Sequence, residues 1–313
     1  MSDNNRLGVF KTYKLYVGGK FPRSESGRVY EVTTKTSAAG AAGKGQWLAN
    51  APQSSRKDAR DAVVAARKAF GGWSGATAYN RGQVLYRVAE MLEGRKEQFV
   101  REVAASEGLS KSKAAAAVDA AIDRWVWYAG WTDKIGQIAG GANPVAGPFF
   151  NLSTPEPTGV VAVLAPQKSS FLGLVSVIAP VIATGNTAVV IASADAPLPA
   201  LSLGEVLATS DVPGGVVNIL SGVTAEIAVP LAAHQDVNAI DLTGADAELA
   251  KELEIAAADN LKRVLRPQPV DTDSASDSED WLASPGTHRL TAFLETKTVW
   301  HPTGALGAAG SSY

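Results

Sequence analysis

The sequence predicts an α/β fold, a doubly wound and mostly parallel sheet with flanking helices. Three observations predict it. Four apolar runs between residues 155 and 265 are nearly continuous in Val, Ile and Leu rather than alternating. That is the pattern of strands covered on both faces. They are Gly159 to Pro166, Thr187 to Ser193, Gly215 to Ser221 and Val237 to Gly244, and each ends in Gly, Ser or Pro. The stretches between them are long enough for a crossover helix, and strand-helix-strand repetition builds such a sheet. Ligands of such sheets bind beyond the carboxyl ends of the strands.

In chain order, Lys14-Leu15-Tyr16-Val17 reads as a strand, Gly18-Gly19 as a turn, and Arg28-Val29-Tyr30-Glu31-Val32 as the returning strand. Residues 33 to 46 lack periodicity and read as a loop. Gly40, Gly43 and Gly45 form no strict phosphate-loop motif. Ser55-Arg56-Lys57-Asp58 resembles a capping box that opens a helix running to Gly71-Gly72. Leu85, Val88, Ala89 and Leu92 mark the next helix. Phe99, Val100 and Val103 mark a third, stopped at Gly108, and Ser110 caps a fourth. Trp125, Trp127, Tyr128 and Trp131 lack surrounding basic residues, so they read as core or interface rather than a stacking platform. Phe149 to Pro157 reads as extended, because its prolines discourage helix. Residues 245 to 258 form a helix, and Asn260 to Leu265 one more strand. Residues 266 to 290 read as an acidic linker, 291 to 303 as a C-terminal strand, and 304 to 313 as a disordered tail.

Composition excludes several function classes. The chain has 313 residues, 46% hydrophobic and 19% charged, with a formal net charge of -2. It suits one large domain or two modest ones. No basic excess points to nucleic acid or an anionic membrane. The first residues carry no apolar signal core, so the expected location is cytoplasmic. The apolar stretch from Phe171 to Ala183 is too short to span a bilayer. There is no Cys, so these residues offer no disulfide, thiolate metal site or thiol nucleophile. His234, His288 and His301 lie far apart in sequence, which disfavours a metal site.

Four stretches carry a resemblance. They are Glu156 to Pro166, Ala179 to Val190, Pro213 to Ile219, and Leu242-Thr243-Gly244. In this order and spacing the chain resembles the aldehyde dehydrogenase superfamily over residues 14 to about 265, and again at 293 to 300. The resemblance implies a Rossmann-like cofactor domain and a small β oligomerisation element. The latter is built from a hairpin, here about 140 to 157, and the C-terminal strand. Phe149, Phe150, Phe293, Thr296, Thr298, Val299 and Trp300 are its expected interface residues.

The departures from the family pattern are chemical. Where the family places Trp-Asn-Phe-Pro, with an amide that helps hold an oxyanion, this chain has Gln167-Lys168-Ser169-Ser170. The Lys and Glu that hold the adenosine ribose in the family are here Ile191 and Ala194, and only Ser193 of that motif persists. In the turn near the pyrophosphate Gly244 remains, but the second glycine is Leu249. The general-base Glu is replaced by Pro267, which cannot take a proton. An acidic linker stands where the catalytic domain with its Cys would follow. Each lost ribose hydrogen bond removes on the order of 1–3 kcal/mol. Two losses weaken cofactor binding by roughly 30-fold or more. The expectation is therefore no cofactor, with NAD or NADP binding weakly at best.

Three readings follow from the resemblance. The first is a catalytically inactive structural or regulatory subunit that docks on a full-length, active aldehyde dehydrogenase. The second is a nucleotide or cofactor binder that relies on Ser193 and Gly244. The third is an oxidoreductase with rebuilt chemistry, in which a desolvated Lys168 forms a Schiff base.

Overall fold

The computed structural model describes residues 9–35, 45–266 and 280–303. Strands β1 (Val29–Thr33) and β2 (Trp47–Pro52) form an antiparallel pair. This corrects the pairing of residues 28–32 with residues 14–17. Tyr16 instead exchanges backbone hydrogen bonds with Ile219, at 3.1 and 2.7 Å. Strand β2 escapes the sequence pattern because its interior is small and polar, Leu48-Ala49-Asn50-Ala51, with little β propensity of its own.

Helix α1 (Arg56–Gly75) opens on the expected capping box. Asp58 N donates to Ser55 Oγ, and Ser55 N donates to Asp58 Oδ2 at 2.8 Å. The helix runs past Gly71-Gly72 because Trp73 anchors its last turn: Trp73 is buried, and its Nε1 donates to Ile182 O at 2.9 Å. Packing here outweighs the low helix propensity of glycine. Helices α2 (Ala78–Glu93), α3 (Lys96–Glu107) and α4 (Lys111–Trp131) follow. Gly108 ends α3 in the left-handed conformation at φ 70, and Ser110 caps α4. Helix α5 (Ile135–Ala139) leads to strands β3 (Gly141–Asn143) and β4 (Phe149–Pro157).

The main sheet comes next in sequence. It is β5 (Val160–Leu164), α6 (Leu172–Ala183), β6 (Thr187–Ile191), α7 (Leu198–Ala208), β7 (Val217–Leu220), α8 (Thr224–Ala232), β8 (Ala239–Asp241), α9 (Ala247–Ala258) and β9 (Arg263–Leu265). The strands are all parallel in the order β7-β6-β5-β8-β9. The order reverses between β5 and β8, which opens a crevice at their carboxyl ends. Each face has its own core. Helices α1, α8 and α9 cover one face, where Val63, Leu231 and Leu253 meet Val160, Leu164 and Ile240. Helices α2, α3, α4, α6 and α7 cover the other, where Phe99, Trp125 and Ile178 meet Val161 and Val163. Every residue of α6 is buried, and Trp125 and Tyr128 lie inside the core.

After residues 267–279 the chain turns back onto this second face. Helix α10 (His288–Thr291) buries Leu290 and Arg289. Within residues 280–290, expected as linker, Leu290 and Trp281 reach the core, while most of the segment is exposed. Strand β10 (Leu294–Pro302) then pairs with β4 along nine residues, from Leu294 with Pro157 to Pro302 with Phe149. The second sheet has the order β10-β4-β3. Asn186 holds its entry, with Nδ2 donating to Phe293 O at 2.9 Å and Oδ1 accepting from Gly159 N at 2.8 Å. Among the described residues no helix is long and apolar enough to cross a membrane. The expected tail at 304–313 lies outside the described residues.

Candidate functional site

The crevice between β5 and β8 places Ala165, Gln167, Thr243 and Gly244 together. Gly244 N donates to Leu164 O at 2.9 Å. A side chain at Gly244 would drive its Cβ to 2.0 Å from Ala165 O, so only glycine allows this close approach.

Gln167 closes the loop after β5. Its Nε2 donates to Ala165 O at 2.9 Å, and its Oε1 accepts from Ala194 N at 3.0 Å. Ser193 Oγ donates to Gln167 O at 2.9 Å and accepts from Ala196 N at 3.2 Å. The surviving Ser193 hydroxyl is therefore used inside the chain, and Ala194 contributes its backbone N–H. Ile191 is fully buried in the sheet. Lys168 is exposed, a solvated loop lysine whose amine is not desolvated as a Schiff-base role would require. Leu249 is half-buried against the α9 face, and its N–H donates to Asp246 Oδ1 at 2.9 Å. Pro267 lies outside the described residues.

A buried acid and a half-buried one complete the site, and neither was singled out from the sequence. Asp241, at the end of β8, is fully buried. Arg289 Nη1 donates to its Oδ2 at 2.9 Å, and Arg289 Nη2 donates to Thr243 Oγ1 at 3.1 Å. Thr243 Oγ1 in turn donates to Asp241 Oδ1. Sequence did hold a signal: an acid inside an apolar strand must find a cation. Glu107, at the end of α3, accepts from Ser170 N at 2.8 Å and from Ser170 Oγ at 2.7 Å. Burial pushes its carboxyl above the usual range, opposed by the Ser170 and Phe171 hydrogen bonds. Glu107 and Gln167 together fix both ends of the loop that follows β5.

The expected interface residues divide. Phe149, Phe150 and Trp300 are 43%, 45% and 56% exposed. Thr296 and Thr298 are exposed and Val299 half-buried. Thr298 Oγ1 lies 2.8 Å from Ser153 Oγ. Phe293 is corrected: it is only 2% exposed and packs in this chain's own core, just before β10 leaves the main body.

The model of the aldehyde dehydrogenase family matches residues 31–266. The chain belongs to the aldehyde dehydrogenase family. Retinal dehydrogenase 2 of Gallus gallus is 33% identical over 263 residues, which cover 81% of this chain and 48% of that protein. Cytosolic aldehyde dehydrogenase 1 of Elephantulus edwardii is 30% identical over 260 residues, covering 80% and 49%. The chain thus spans about half the length of these curated relatives. Among solved structures, the NAD+ complex of the aldehyde dehydrogenase from Bacillus cereus matches with a TM-score of 0.75 and 25% identity. It covers 82% of this chain and 50% of that one. The HpcC structure from Thermus thermophilus matches with a TM-score of 0.76 and 27% identity, covering 82% and 48%.

These matches correct the expectation of no cofactor. The Bacillus cereus aldehyde dehydrogenase was solved with NAD+ on this same fold. The lost Lys and Glu remove hydrogen bonds, but the groove that holds a dinucleotide is built mainly from strand ends and turns. That framework fits the group. The crevice between β5 and β8 is intact, and Gly244 keeps its turn close to β5. At the carboxyl end of β7, Thr224 Oγ1 and Ser54 Oγ are buried without a hydrogen-bond partner among the described residues. Ser54 N donates to Ser221 O there, at 2.8 Å. A buried hydroxyl left unpaired is costly, and a polar ligand group at the strand ends would relieve it.

Proposed function

We propose that the chain is a structural or regulatory subunit that docks on a full-length, cysteine-bearing aldehyde dehydrogenase through its β10-β4-β3 sheet. We further propose that it holds a nicotinamide dinucleotide at its own strand ends. One observation carries the docking. The β10–β4 ladder presents Phe149, Phe150 and Trp300 to solvent, and β10 is an edge strand with no further strand beside it among the described residues. Exposed aromatic surface along an open edge favours association with another chain.

The chemistry of the residues agrees with a non-catalytic role. These 313 residues contain no Cys, so a thiohemiacetal route has no nucleophile here. In such a chain the hydroxyls of Ser54 and Thr224 would hold a polar group of the dinucleotide, and the close turn at Gly244 would leave room for it beside the strand ends. A bound nicotinamide supplies hydride acceptance. Acyl transfer belongs to the partner in this reading.

The test is the native mass and subunit composition of the complex recovered from its own cells through a small tag. A complex containing a longer, Cys-bearing aldehyde dehydrogenase is expected, with partner activity that changes when this chain is removed. Recovery as a monomer or homo-oligomer alone overturns the docking. Calorimetry with NAD and NADP tests the cofactor separately.

A further inference from the structure

A second cleft lies away from the β5–β8 crevice. It has a volume of about 330 Å³ and sits between residues 10–13, the turn at 23–28 and the start of β2. Its walls carry three cations, Lys11, Arg23 and Arg28, and three aromatic rings, Phe10, Tyr13 and Trp47. No carboxylate lines it among the described residues, although the whole chain has a formal net charge of -2.

The cations are not equivalent. Lys11 Nζ is tied to Ser202 Oγ at 2.7 Å and Glu205 at 3.0 Å. The guanidinium groups of Arg23 and Arg28 make no hydrogen bond or ion pair among the described residues. Two unneutralised guanidinium groups on one cleft repel each other and attract an anion. Their planar forks suit a carboxylate or a phosphate equally.

The rings are arranged rather than scattered. Phe10 and Trp47 meet edge to face, with centroids 5.2 Å apart at 80°. Both are exposed, and Trp47 Nε1 donates to Asn50 Oδ1 at 3.3 Å, which fixes the indole. Exposed, oriented rings beside unpaired arginines suit a flat ring that stacks while its charge is held. The volume suits one small ligand rather than a chain.

We propose that this cleft binds a small planar aromatic anion, a single or fused ring bearing one carboxylate or phosphate. The proposal is independent of the docking and of the strand-end site. The cleft belongs to the β1–β2 hairpin and the segment before it, and Arg23, Arg28 and Trp47 take no part in the crevice.

The test is calorimetry of the full chain with two probes, AMP for the phosphate and benzoate for the carboxylate. Adenosine, inorganic phosphate and acetate supply the ring or the charge alone. At least one ring-bearing anion is expected to bind about tenfold more tightly than its separate parts. Arg23→Ala with Arg28→Ala should weaken that binding by about tenfold or more, since charge-assisted hydrogen bonds are lost. Trp47→Leu should weaken it by about fivefold or more through lost stacking. All three residues are exposed, so the unfolding midpoints should stay at the wild-type value. AMP binding that survives the double arginine variant but is lost in Gly244→Ala would assign it to the strand ends and overturn the phosphate arm. Benzoate binding that survives the double variant, or binding of phosphate or acetate as tight as that of the ring-bearing anions, overturns the proposal.

Discussion

Arg289 Nη1 lies 2.9 Å from Asp241 Oδ2, and both side chains are buried at the carboxyl end of β8. Forty-eight positions separate the two residues, so this ion pair closes the loop that carries the chain from the main sheet to β10. Removing one partner of a buried pair leaves an uncompensated charge and costs roughly 3–5 kcal/mol. Arg289→Met should therefore lower the unfolding free energy by about that amount. Replacing both partners, Asp241→Leu with Arg289→Met, should restore most of the loss, because an apolar pair needs no desolvation of charge. Urea unfolding of the three variants measures this. A double variant as unstable as the single one would show that Arg289 acts by shape alone.

Glu107 predicts a pH dependence with a definite sign. Its folded carboxyl is raised above the ordinary value of 4.5, chiefly by burial. Above that ordinary value the folded chain therefore binds more protons at this site than the unfolded chain. Stability contributed by Glu107 is present below it and is lost as pH rises through the folded pKa. Glu107→Gln keeps an acceptor for Ser170 and removes the titration. The wild type should thus lose stability relative to the variant as pH climbs from acid, and the gap should level off above the folded pKa. A difference that does not change with pH would contradict burial as the cause.

The strand-end groove predicts a gain of function. Ala194 stands where the family's ribose-holding Glu is expected, and it is half-buried at the mouth of the crevice. A carboxylate there would accept from a ribose hydroxyl, a hydrogen bond of on the order of 1–3 kcal/mol. Ala194→Glu should tighten NAD+ by about tenfold or more in a calorimetric titration. Gly244→Ala should act in the opposite direction, because its Cβ would meet Ala165 O and force β5 and β8 apart. Equal affinity in all three proteins would place the dinucleotide elsewhere.

Local pattern made much of this legible. The four apolar runs are β5, β6, β7 and β8, and Ser55-Arg56-Lys57-Asp58 is a working capping box. What escaped was long-range. Tyr16 pairs with Ile219 rather than with the nearer 28–32 segment, and no local period encodes that choice. Residues 280–290 looked like spacer because polar residues surround Trp281 and Leu290, yet these two reach the core. Phe293 opens a sequence stretch that alternates like an exposed strand, but the strand itself begins one residue later, at Leu294. In the candidate site, the substitutions at Ile191, Ala194 and Leu249 could be read directly. The knot around Gln167 could not, because its partners come from two strand ends brought side by side.

The β10 surface carries the last prediction. Trp300 and Phe149 share one face of the ladder, with ring centroids 5.8 Å apart, while Val299 stands on the other face opposite Leu152. None of these residues belongs to the core of the main sheet, so charging them should spare folding. Trp300→Asp and Val299→Asp should each weaken association with the partner aldehyde dehydrogenase by about tenfold or more, since buried aromatic and apolar anchors dominate interfaces. Lys297→Ala offers the contrast. Its ion pair with Glu156, at 3.2 Å, is exposed, and such pairs contribute about 0–1 kcal/mol. That variant should bind as the wild type does. Phe293→Asp would mislead, because it would destabilise the core whether or not a partner exists. Native mass spectrometry of each variant, mixed with the recovered partner, separates the cases. Undiminished complex with both Asp variants would move the interface off β10.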